Sequence, residues 1–256
     1  MNHPPIFDSL ARRLDHAQVH RTATSSLAED VDLGVDDAYT IQSLLIDLRG
    51  RRGETVIGAK LGFTSEAKMA QMGVSEVIVG RLTDAMRLAD GDDVDLTRFI
   101  HPKIEPEVAY RLGCDAGFDS DIKDIAECVD AVAPAVEIID SRYRDFRFTF
   151  TDVIADNTSA AAFAIGAWRP PQPVGNRAVR LAVGADEIVG TTSAILGDPV
   201  RALHALSRVC GQRRLTLRAG DVILAGAATA ALPLTADTAH CAVAGLGTVT
   251  VKGVRP

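Results

Sequence analysis

The sequence lacks long apolar runs and is poor in aromatic residues, which make up 5% of its 256 residues. No stretch approaches the roughly 20 consecutive apolar residues that a membrane-spanning helix requires. The first residues also lack the basic region followed by an apolar region that is typical of a secretory signal. We therefore expect a cytoplasmic protein with no membrane partner.

Cysteine is scarce, and its spacing argues against two classes of site. The four cysteines are widely spaced and include no CxxC pair, so neither a zinc knot nor a dithiol redox motif is indicated. A free cysteine usually behaves as a small hydrophobic residue. We expect reduced, mostly buried thiols without a catalytic role at Cys114, Cys128, Cys210 and Cys241.

The sequence also contains fewer basic than acidic residues. Its 27 Lys and Arg residues and 34 Asp and Glu residues give a formal net charge of -7. This balance argues against nucleic acid as a partner, since phosphate backbones are held by clustered basic residues. The composition, 47% hydrophobic and 24% charged, is that of a folded globular protein. We expect one catalytic body with a smaller helical N-terminal part.

The first 50 residues have the apolar spacing of two helices. The segments are DSLARRLDHAQ at 8–18 and DDAYTIQSLLIDLRG at 36–50, with Asp36 as a candidate N-cap. From Thr55 the pattern changes to short, β-branched segments interrupted by glycine. We predict a helical subdomain at 1–54 and a β-rich, metal-binding catalytic domain at 55–256.

The second of these domains alternates strand-like and helix-like segments. The predicted strands are KIEPEVAYRL, AVEIID, AVRLAVGADEIVGT, DVILAG and GTVTVKGV. The predicted helical segments are EAKMAQMGV, DIKDIAECVDAV and DPVRALHALSRVCGQR. This mixture indicates an α+β fold built on a mixed or antiparallel sheet.

The most informative segment is HPKIEPEVAY, in which Glu105 and Glu107 lie two residues apart. On a strand, this spacing puts both carboxylates on one face. Pro106 between them indicates an edge strand or a bulged strand. An ordinary strand with a solvated acidic face would have the same pattern. Glu137 favours a metal site over a solvated acidic face, because a carboxylate inside the apolar strand AVEIID must be paired, ligated or exposed.

Three carboxylates that each supply one oxygen suit Mg²⁺ or Mn²⁺, which prefer octahedral oxygen coordination. Such an ion keeps positions open, and a 2-oxo acid could fill two of them through its carboxylate and keto oxygens. Histidines at the spacing of a zinc site are absent from the sequence. The acidic residues therefore favour a hard divalent ion.

Other polar residues have two interpretations each. Lys60 in GAKLGFTS is either a surface lysine with its stem along the protein or a functional group near the metal. His101 is more typical of a loop residue, or of a residue that orients a metal ligand, than of a metal ligand itself. The ADNTS segment at 155–159 offers polar donors after a strand, or it is a plain turn.

Several segments follow one another in an order known from one family, namely GAKLGFTSEAKMAQMGV, GRLTDAM, HPKIEPEVA, PAVEIIDSRYRDF, DVIADNTSA and AGDVILAG. They resemble the 2-keto-4-pentenoate hydratase and 4-oxalocrotonate decarboxylase family of the fumarylacetoacetate hydrolase superfamily. The resemblance covers nearly the whole chain and implies the superfamily's barrel-like, mixed-sheet body. It implies that Mg²⁺ or Mn²⁺ is held by Glu105, Glu107 and Glu137. It also implies that Lys60 acts in catalysis and binds substrate and that Ser159 binds substrate.

One local difference separates two reactions of this family. Hydratases of this type carry a PDFG segment whose aspartate assists proton transfer, whereas this chain has EVIVG, with Ile78 at the aspartate's place. We therefore expect decarboxylation of 2-oxohex-3-enedioate (4-oxalocrotonate) to 2-hydroxypenta-2,4-dienoate, in meta-cleavage catabolism of aromatic compounds. The alternatives are hydration of 2-hydroxypenta-2,4-dienoate, hydrolysis of an acylpyruvate, and a role as inactive structural partner of a hydratase.

The expected partners follow from the same resemblance. A small 2-oxo acid is the expected substrate. We also expect a homo-oligomer, and the resemblance implies association with a paired hydratase.

Overall fold

The computed structural model describes residues 3–65, 69 and 76–255. Its α-helices are α1 (Pro5–His20), α2 (Val35–Arg51), α3 (Phe150–Ala155) and α4 (Val200–Arg213). Its strands are β1 (Val56–Gly62), β2 (Ile78–Thr83), β3 (Arg87–Leu88), β4 (Asp93–Asp95), β5 (Lys103–Leu112), β6 (Ala116–Gly117), β7 (Val129–Ile139), β8 (Ala160–Ile165), β9 (Ala178–Val183), β10 (Asp186–Thr191), β11 (Thr216–Leu217), β12 (Val222–Ala227), β13 (Leu232–Pro233), β14 (Thr238–Val243) and β15 (Gly247–Val254). Single 3₁₀ turns lie at Leu27–Glu29, Asp84–Met86, Leu96–Arg98, Ile125–Cys128, Arg144–Phe146, Asn157–Ser159 and Thr192–Ala194.

The large sheet has the strand order β2-β1-β12-β5-β7-β8-β3, with β13 added to β5. Its β1–β12 and β3–β8 pairs are parallel and the others are antiparallel, so the sheet is mixed. A second sheet has the order β10-β9-β14-β15-β4, and β6 pairs with β11. The predicted α+β class with a mixed sheet is confirmed.

The main apolar core contains side chains from both large sheets and from α4. Strand β5 contributes Ile104, Val108 and Tyr110 to it, as the alternation along a strand requires. The opposite face of β5 carries Glu105 and Glu107. Both faces of this strand are therefore enclosed, which contradicts the interpretation of the glutamates as a solvated acidic face.

The two predicted N-terminal helices are confirmed as α1 and α2, but the predicted N-cap is wrong. Gly34 is the N-cap of α2, and its backbone N–H donates to the Asp37 carboxylate at 3.0 Å. Leu14 and Ile41 share an apolar cluster with Tyr143 from the β-rich part of the chain. The division of the chain at residue 55 stays a prediction.

The predicted helix at 121–132 is wrong, and the 198–213 helix is confirmed as α4. Only Ile125–Cys128 forms a 3₁₀ turn, after which β7 begins. The proline ring of Pro134 would clash with a helical carbonyl four residues earlier, and the apolar run AVAPAVEII suits a strand buried on both faces. The predicted helical segment EAKMAQMGV lies outside the described residues, apart from Met69.

The expectation of four reduced cysteines is also wrong for one pair. Cys114 and Cys128 form a disulfide across the loop that joins β5 to β7. Their 14-residue separation gave no motif, and only the meeting of the two strand ends brings the sulfurs together. Cys210 and Cys241 are buried free thiols, as expected.

Strand β5 lies inside the sheet, between β12 and β7, so Pro106 does not mark an edge. The pairing of β12 with β5 becomes irregular between Leu224 and Ala227, opposite this part of β5. The extra residue lies in β12, and β5 pairs regularly with β7 through Pro106, so β5 itself is neither an edge strand nor a bulged one. Within the described residues, no helix combines the length and apolarity needed to cross a bilayer.

Candidate metal centre

Three glutamates meet on the enclosed face of β5 and β7. Glu105 and Glu137 are direct partners in the antiparallel register, and Glu107 is two residues further along β5. Each offers a carboxylate oxygen within 4.8 Å of the other two, and all three residues are buried. Like charges placed opposite each other destabilise a strand pair. The cluster therefore needs a compensating charge.

Lys60 supplies part of that charge. It lies on β1, which reaches the glutamates because β12, from the C-terminal part of the chain, is inserted between β1 and β5. Its ammonium is 2.9 Å from Glu137 Oε2 and donates to the Thr158 carbonyl at 3.1 Å. Burial lowers the pKa of Lys60, but the three carboxylates raise it by more, so its net pKa is raised. The amine stays charged, and the interpretation as a surface lysine is wrong.

Close backbone approach makes room for this lysine. Gly80 on β2 is the register partner of Lys60. A Cβ atom at Gly80 would lie 2.6 Å from the Asn157 carbonyl oxygen and 3.1 Å from Lys60 Cδ. The absence of a side chain at this position lets the 157–159 segment close over the lysine.

Without a cation, Glu107 and Glu137 resist ionisation. Burial, followed by repulsion from Glu137, raises the pKa of Glu107 well above its usual range. Burial also raises the pKa of Glu137, to about 7, although Lys60 opposes the shift. When all are ionised, three carboxylates and one ammonium leave two negative charges. One divalent cation would neutralise that charge.

The oxygen atoms themselves fit such an ion. Glu107 Oε1 and Glu137 Oε1 are buried and have no hydrogen-bond partner among the described residues. Buried polar atoms are normally satisfied, and exceptions point to an ion or a water. The second oxygen of Glu107 accepts from the Gly226 backbone N–H, which orients the carboxylate. Oxygen donors that are oriented and unpaired are what Mg²⁺ or Mn²⁺ requires.

A cavity of about 740 Å³ opens beside the cluster. Lys60, Glu105, Thr158 and Ser159 form its polar floor, so the structure brings the sequence-predicted site residues to one place. Glu107 and Glu137 lie behind this floor. Apolar side chains line much of the rest: Leu61, Phe63, Ile78, Ile139, Phe146, Phe148 and Val153.

The ADNTS segment is neither a simple turn nor the end of a strand, because it follows helix α3. Asn157, Thr158 and Ser159 all have left-handed backbone angles, with φ of 49°, 57° and 58°. Asn157 holds the segment in place by bonding the backbone N–H and carbonyl of Arg81, at 2.7 and 2.9 Å. Strained backbone of this kind gathers at functional sites. It exposes Thr158 and Ser159 to the cavity.

Thr158 belongs to the polar ADNTS segment, but sequence reasoning singled out only Ser159 there as a substrate-binding residue. The Thr158 hydroxyl oxygen is buried, lines the cavity wall and has no hydrogen-bond partner among the described residues. Nothing in the sequence distinguishes it from its neighbours, because its direction depends on the left-handed backbone. It is a further candidate to bind the substrate.

Buried charged residues beyond Glu137 hold the end of β7 in place, and their partners lie outside the glutamate cluster. Asp140 accepts from the backbone N–H groups of Ile100 and His101, both at 2.8 Å, so it is paired rather than ligated. His101 Nε2 lies 2.8 Å from the Ser141 carbonyl, which makes it a supporting loop residue. The fully buried Arg142 pairs with Asp156, whose pKa burial raises to about 6 despite that partner.

The chain is similar to known proteins along nearly its whole length. A family model described as fumarylacetoacetate (FAA) hydrolase C-terminal matches residues 55–252. The chain is 46% identical over 243 residues to a 4-oxalocrotonate decarboxylase of a Pseudomonas species, which covers 94% of this chain and 95% of that protein. It is 34% identical over 231 residues to a 2-keto-4-pentenoate hydratase of Paraburkholderia xenovorans strain LB400, with 85% and 83% covered.

A solved structure agrees with these sequence matches. The 4-oxalocrotonate decarboxylase of Pseudomonas putida G7, complexed with magnesium and adipate, superposes with a TM-score of 0.92 at 31% identity and 99% coverage of both chains. The same enzyme complexed with calcium and acetate gives a TM-score of 0.91 at 30% identity. The chain belongs to the fumarylacetoacetate (FAA) hydrolase C-terminal family.

Proposed function

We propose that this chain is a divalent-metal-dependent lyase that decarboxylates 2-oxohex-3-enedioate (4-oxalocrotonate) to 2-hydroxypenta-2,4-dienoate. Glu105, Glu107 and Glu137 hold Mg²⁺ or Mn²⁺ in this proposal. The observation that carries it is the buried carboxylate cluster with Lys60 at the floor of a cavity. The similarity to 4-oxalocrotonate decarboxylases over the full chain supports the choice of reaction.

When bound, the metal supplies Lewis acidity toward the carboxylate and keto oxygens of a 2-oxo acid. The chain's own residues supply the rest. Lys60 places a buried positive charge near the oxygen on which negative charge develops, and fixed charges of this kind are typically the largest catalytic contribution. The hydroxyls of Thr158 and Ser159 are available to orient the substrate.

Decarboxylation breaks the bond between C5 and C6 of the substrate. The carboxylate at C6 leaves as CO₂, and the electron pair moves through the conjugated chain to the keto oxygen, which takes up a proton from water to give the 2-hydroxy product. The apolar side chains of Ile78, Ile139 and Phe148 line the cavity and limit water near the reacting carbons. Such an environment favours the loss of a charged group as a neutral one.

The preference for decarboxylation over hydration depends on which proton donors line the cavity. Hydration needs a positioned acid that protonates carbon. Among the described residues that line the cavity, Glu105 is the one carboxylic acid, and Ile78 occupies the position expected for the hydratase aspartate. Hydration of 2-hydroxypenta-2,4-dienoate is the second candidate, because a 2-keto-4-pentenoate hydratase is 34% identical over 85% of this chain. Acylpyruvate hydrolysis and an inactive partner role receive no specific support.

We also propose a cytoplasmic homo-oligomer that works beside a hydratase. The product of the proposed reaction is the substrate of that hydratase, which favours association of the two. The Cys114–Cys128 disulfide is unusual for a reducing compartment. Peptide mapping of the protein under non-reducing conditions, directly after its isolation from cells, tests the cytoplasmic placement.

The test of the reaction is an ultraviolet assay of Mg²⁺-loaded protein with each of two substrates. We expect CO₂ release from 2-oxohex-3-enedioate that stops on chelation, and little loss of 2-hydroxypenta-2,4-dienoate. Turnover of the second substrate alone would establish the hydratase. Inactivity toward both would overturn the proposal.

A further inference from the structure

Two basic side chains at the mouth of the cavity have no part in the proposed metal centre. Lys103 begins β5, two residues before Glu105, and Arg147 follows the turn Arg144–Phe146. Both line the cavity, and neither has a carboxylate partner among the described residues. Acidic side chains outnumber basic ones in this chain, so two cations that line one cavity without a carboxylate partner suggest an anionic ligand.

The turn between β7 and α3 links the two cations, because Lys103 contacts Phe146, the residue that precedes Arg147. Asp145 and Phe146 both have left-handed φ angles, of 56° and 54°, which few residues other than glycine adopt. The Lys103 ammonium lies 4.1 Å from the centre of the Phe146 ring, a cation–π contact. The turn therefore places Phe146 against Lys103, and the exposed Arg147 follows it in the cavity lining.

The spacing of Lys103 and Glu105 matches the length of a specific class of ligand. Residues two apart on a strand lie on one face and are separated by about 6.7 Å. The two carboxylates of an extended six-carbon dicarboxylic acid are separated by a similar length. One carboxylate at the glutamate cluster would therefore bring the other to Lys103 and Arg147.

We infer that Lys103 and Arg147 bind the second carboxylate of a dicarboxylic 2-oxo acid and select it over monocarboxylic analogues. The inference rests on the proposed function and names the part of the cavity that recognises the carboxylate lost in the reaction. Arg147 is exposed and Lys103 is half-buried, so the selection weakens as salt screens the charges.

The same assignment has a kinetic consequence. The carboxylate bound by these cations becomes neutral CO₂ when the bond between C5 and C6 breaks. The ion pair is thus stronger with the substrate than with the transition state, and it contributes to binding but not to the chemical step. Loss of either cation should raise KM at least tenfold and leave kcat unchanged or higher.

The test is calorimetric binding of adipate and of hexanoate to the Mg²⁺-loaded protein. We expect the wild type to bind adipate at least tenfold more tightly than hexanoate. Lys103→Met and Arg147→Met should each lose most of this preference without a change in hexanoate or Mg²⁺ affinity. Lys103→Arg should keep it, and the exposed control Lys252→Met should match the wild type.

Two results would overturn the inference: an equal affinity of the wild type for adipate and hexanoate, or an unchanged adipate preference in both Met variants. A kcat that falls in Lys103→Met while KM stays constant would also contradict it. These binding experiments do not require turnover. A wild type that prefers adipate but releases no CO₂ from 2-oxohex-3-enedioate would count against the proposed function and leave the dicarboxylate site standing.

Discussion

Replacing Glu107 by glutamine separates the metal-binding role of the glutamate cluster from its effect on stability. The amide keeps an oxygen that can accept from the Gly226 N–H, while it removes one negative charge. With carboxylate oxygens within 4.8 Å of one another, each pair repels by at least about 3.5 kcal/mol at an effective dielectric constant of about 20. Lys60 and partial protonation offset much of the two repulsions that Glu107 makes.

We therefore expect metal-free Glu107→Gln to be more stable than the metal-free wild type by about 1–3 kcal/mol. With Mg²⁺ bound, the wild type should be the more stable of the two proteins. At a concentration of 100 times its Kd, Mg²⁺ stabilises the wild type by about 2.7 kcal/mol, which for a chain of this size is a rise in Tm of about 5–11 °C. The free energy of unfolding of Glu107→Gln should rise little when Mg²⁺ is added.

The assay is thermal and urea unfolding of both proteins, first with chelator and then with Mg²⁺, at neutral pH. Glu127→Gln removes an exposed carboxylate far from the cluster and should behave as the wild type in both conditions. A metal-free Glu107→Gln protein less stable than the wild type, or one with the full Mg²⁺ response, would show that repulsion within the glutamate cluster does not destabilise the metal-free protein or that Glu107 does not bind the metal.

Three further changes test separate parts of the structure. Lys60→Ala should lower kcat by about 10²–10³-fold, since it removes a fixed charge at the reacting centre, and should leave Mn²⁺ affinity in calorimetry nearly constant. Asp156→Asn leaves Arg142 buried without its partner charge and should reduce the free energy of unfolding by about 3–5 kcal/mol in urea. Cys114→Ser opens a loop of 14 residues and should lower that free energy by about 3 kcal/mol, as should reduction of the wild type.

Matched changes at exposed positions serve as controls for the first two variants. Lys252→Ala and Asp186→Asn should leave both activity and stability at the wild-type level. Equal loss of turnover and metal affinity in Lys60→Ala would contradict its catalytic role. A stable Asp156→Asn protein would show that Arg142 finds another partner. Identical unfolding of the wild type with and without reductant would mean that the disulfide contributes nothing.

The glutamates could be predicted because their signal is local. Two carboxylates separated by one residue share a strand face, and a carboxylate inside AVEIID needs a partner. The helices α1, α2 and α4 could be predicted for the same reason, since their apolar spacing repeats within the segment itself.

The meeting of Lys60 with Glu137 could not be derived from the pattern. It depends on β12, which comes from residues 222–227 and lies between β1 and β5. Only the resemblance to a known family assigned Lys60 to the site in advance. Register across strands distant in sequence has no local signal.

The features that the sequence did not predict also depend on contacts or backbone conformations that have no local signal. The segment 121–132 has helical propensity, but tertiary pairing takes its last four residues into β7. The sulfurs of Cys114 and Cys128 meet because two strands end side by side. Thr158 faces the cavity because three residues in succession adopt a left-handed backbone, held by the side chain of Asn157.

The most direct test of the metal centre is a titration of the metal-free protein with Mn²⁺, followed by electron paramagnetic resonance and by CO₂ release in the same samples. We expect one bound Mn²⁺ per chain, with activity that rises in proportion to occupancy, and loss of both in Glu137→Gln. Full activity in the metal-free protein, or unchanged Mn²⁺ binding in Glu137→Gln, would contradict it.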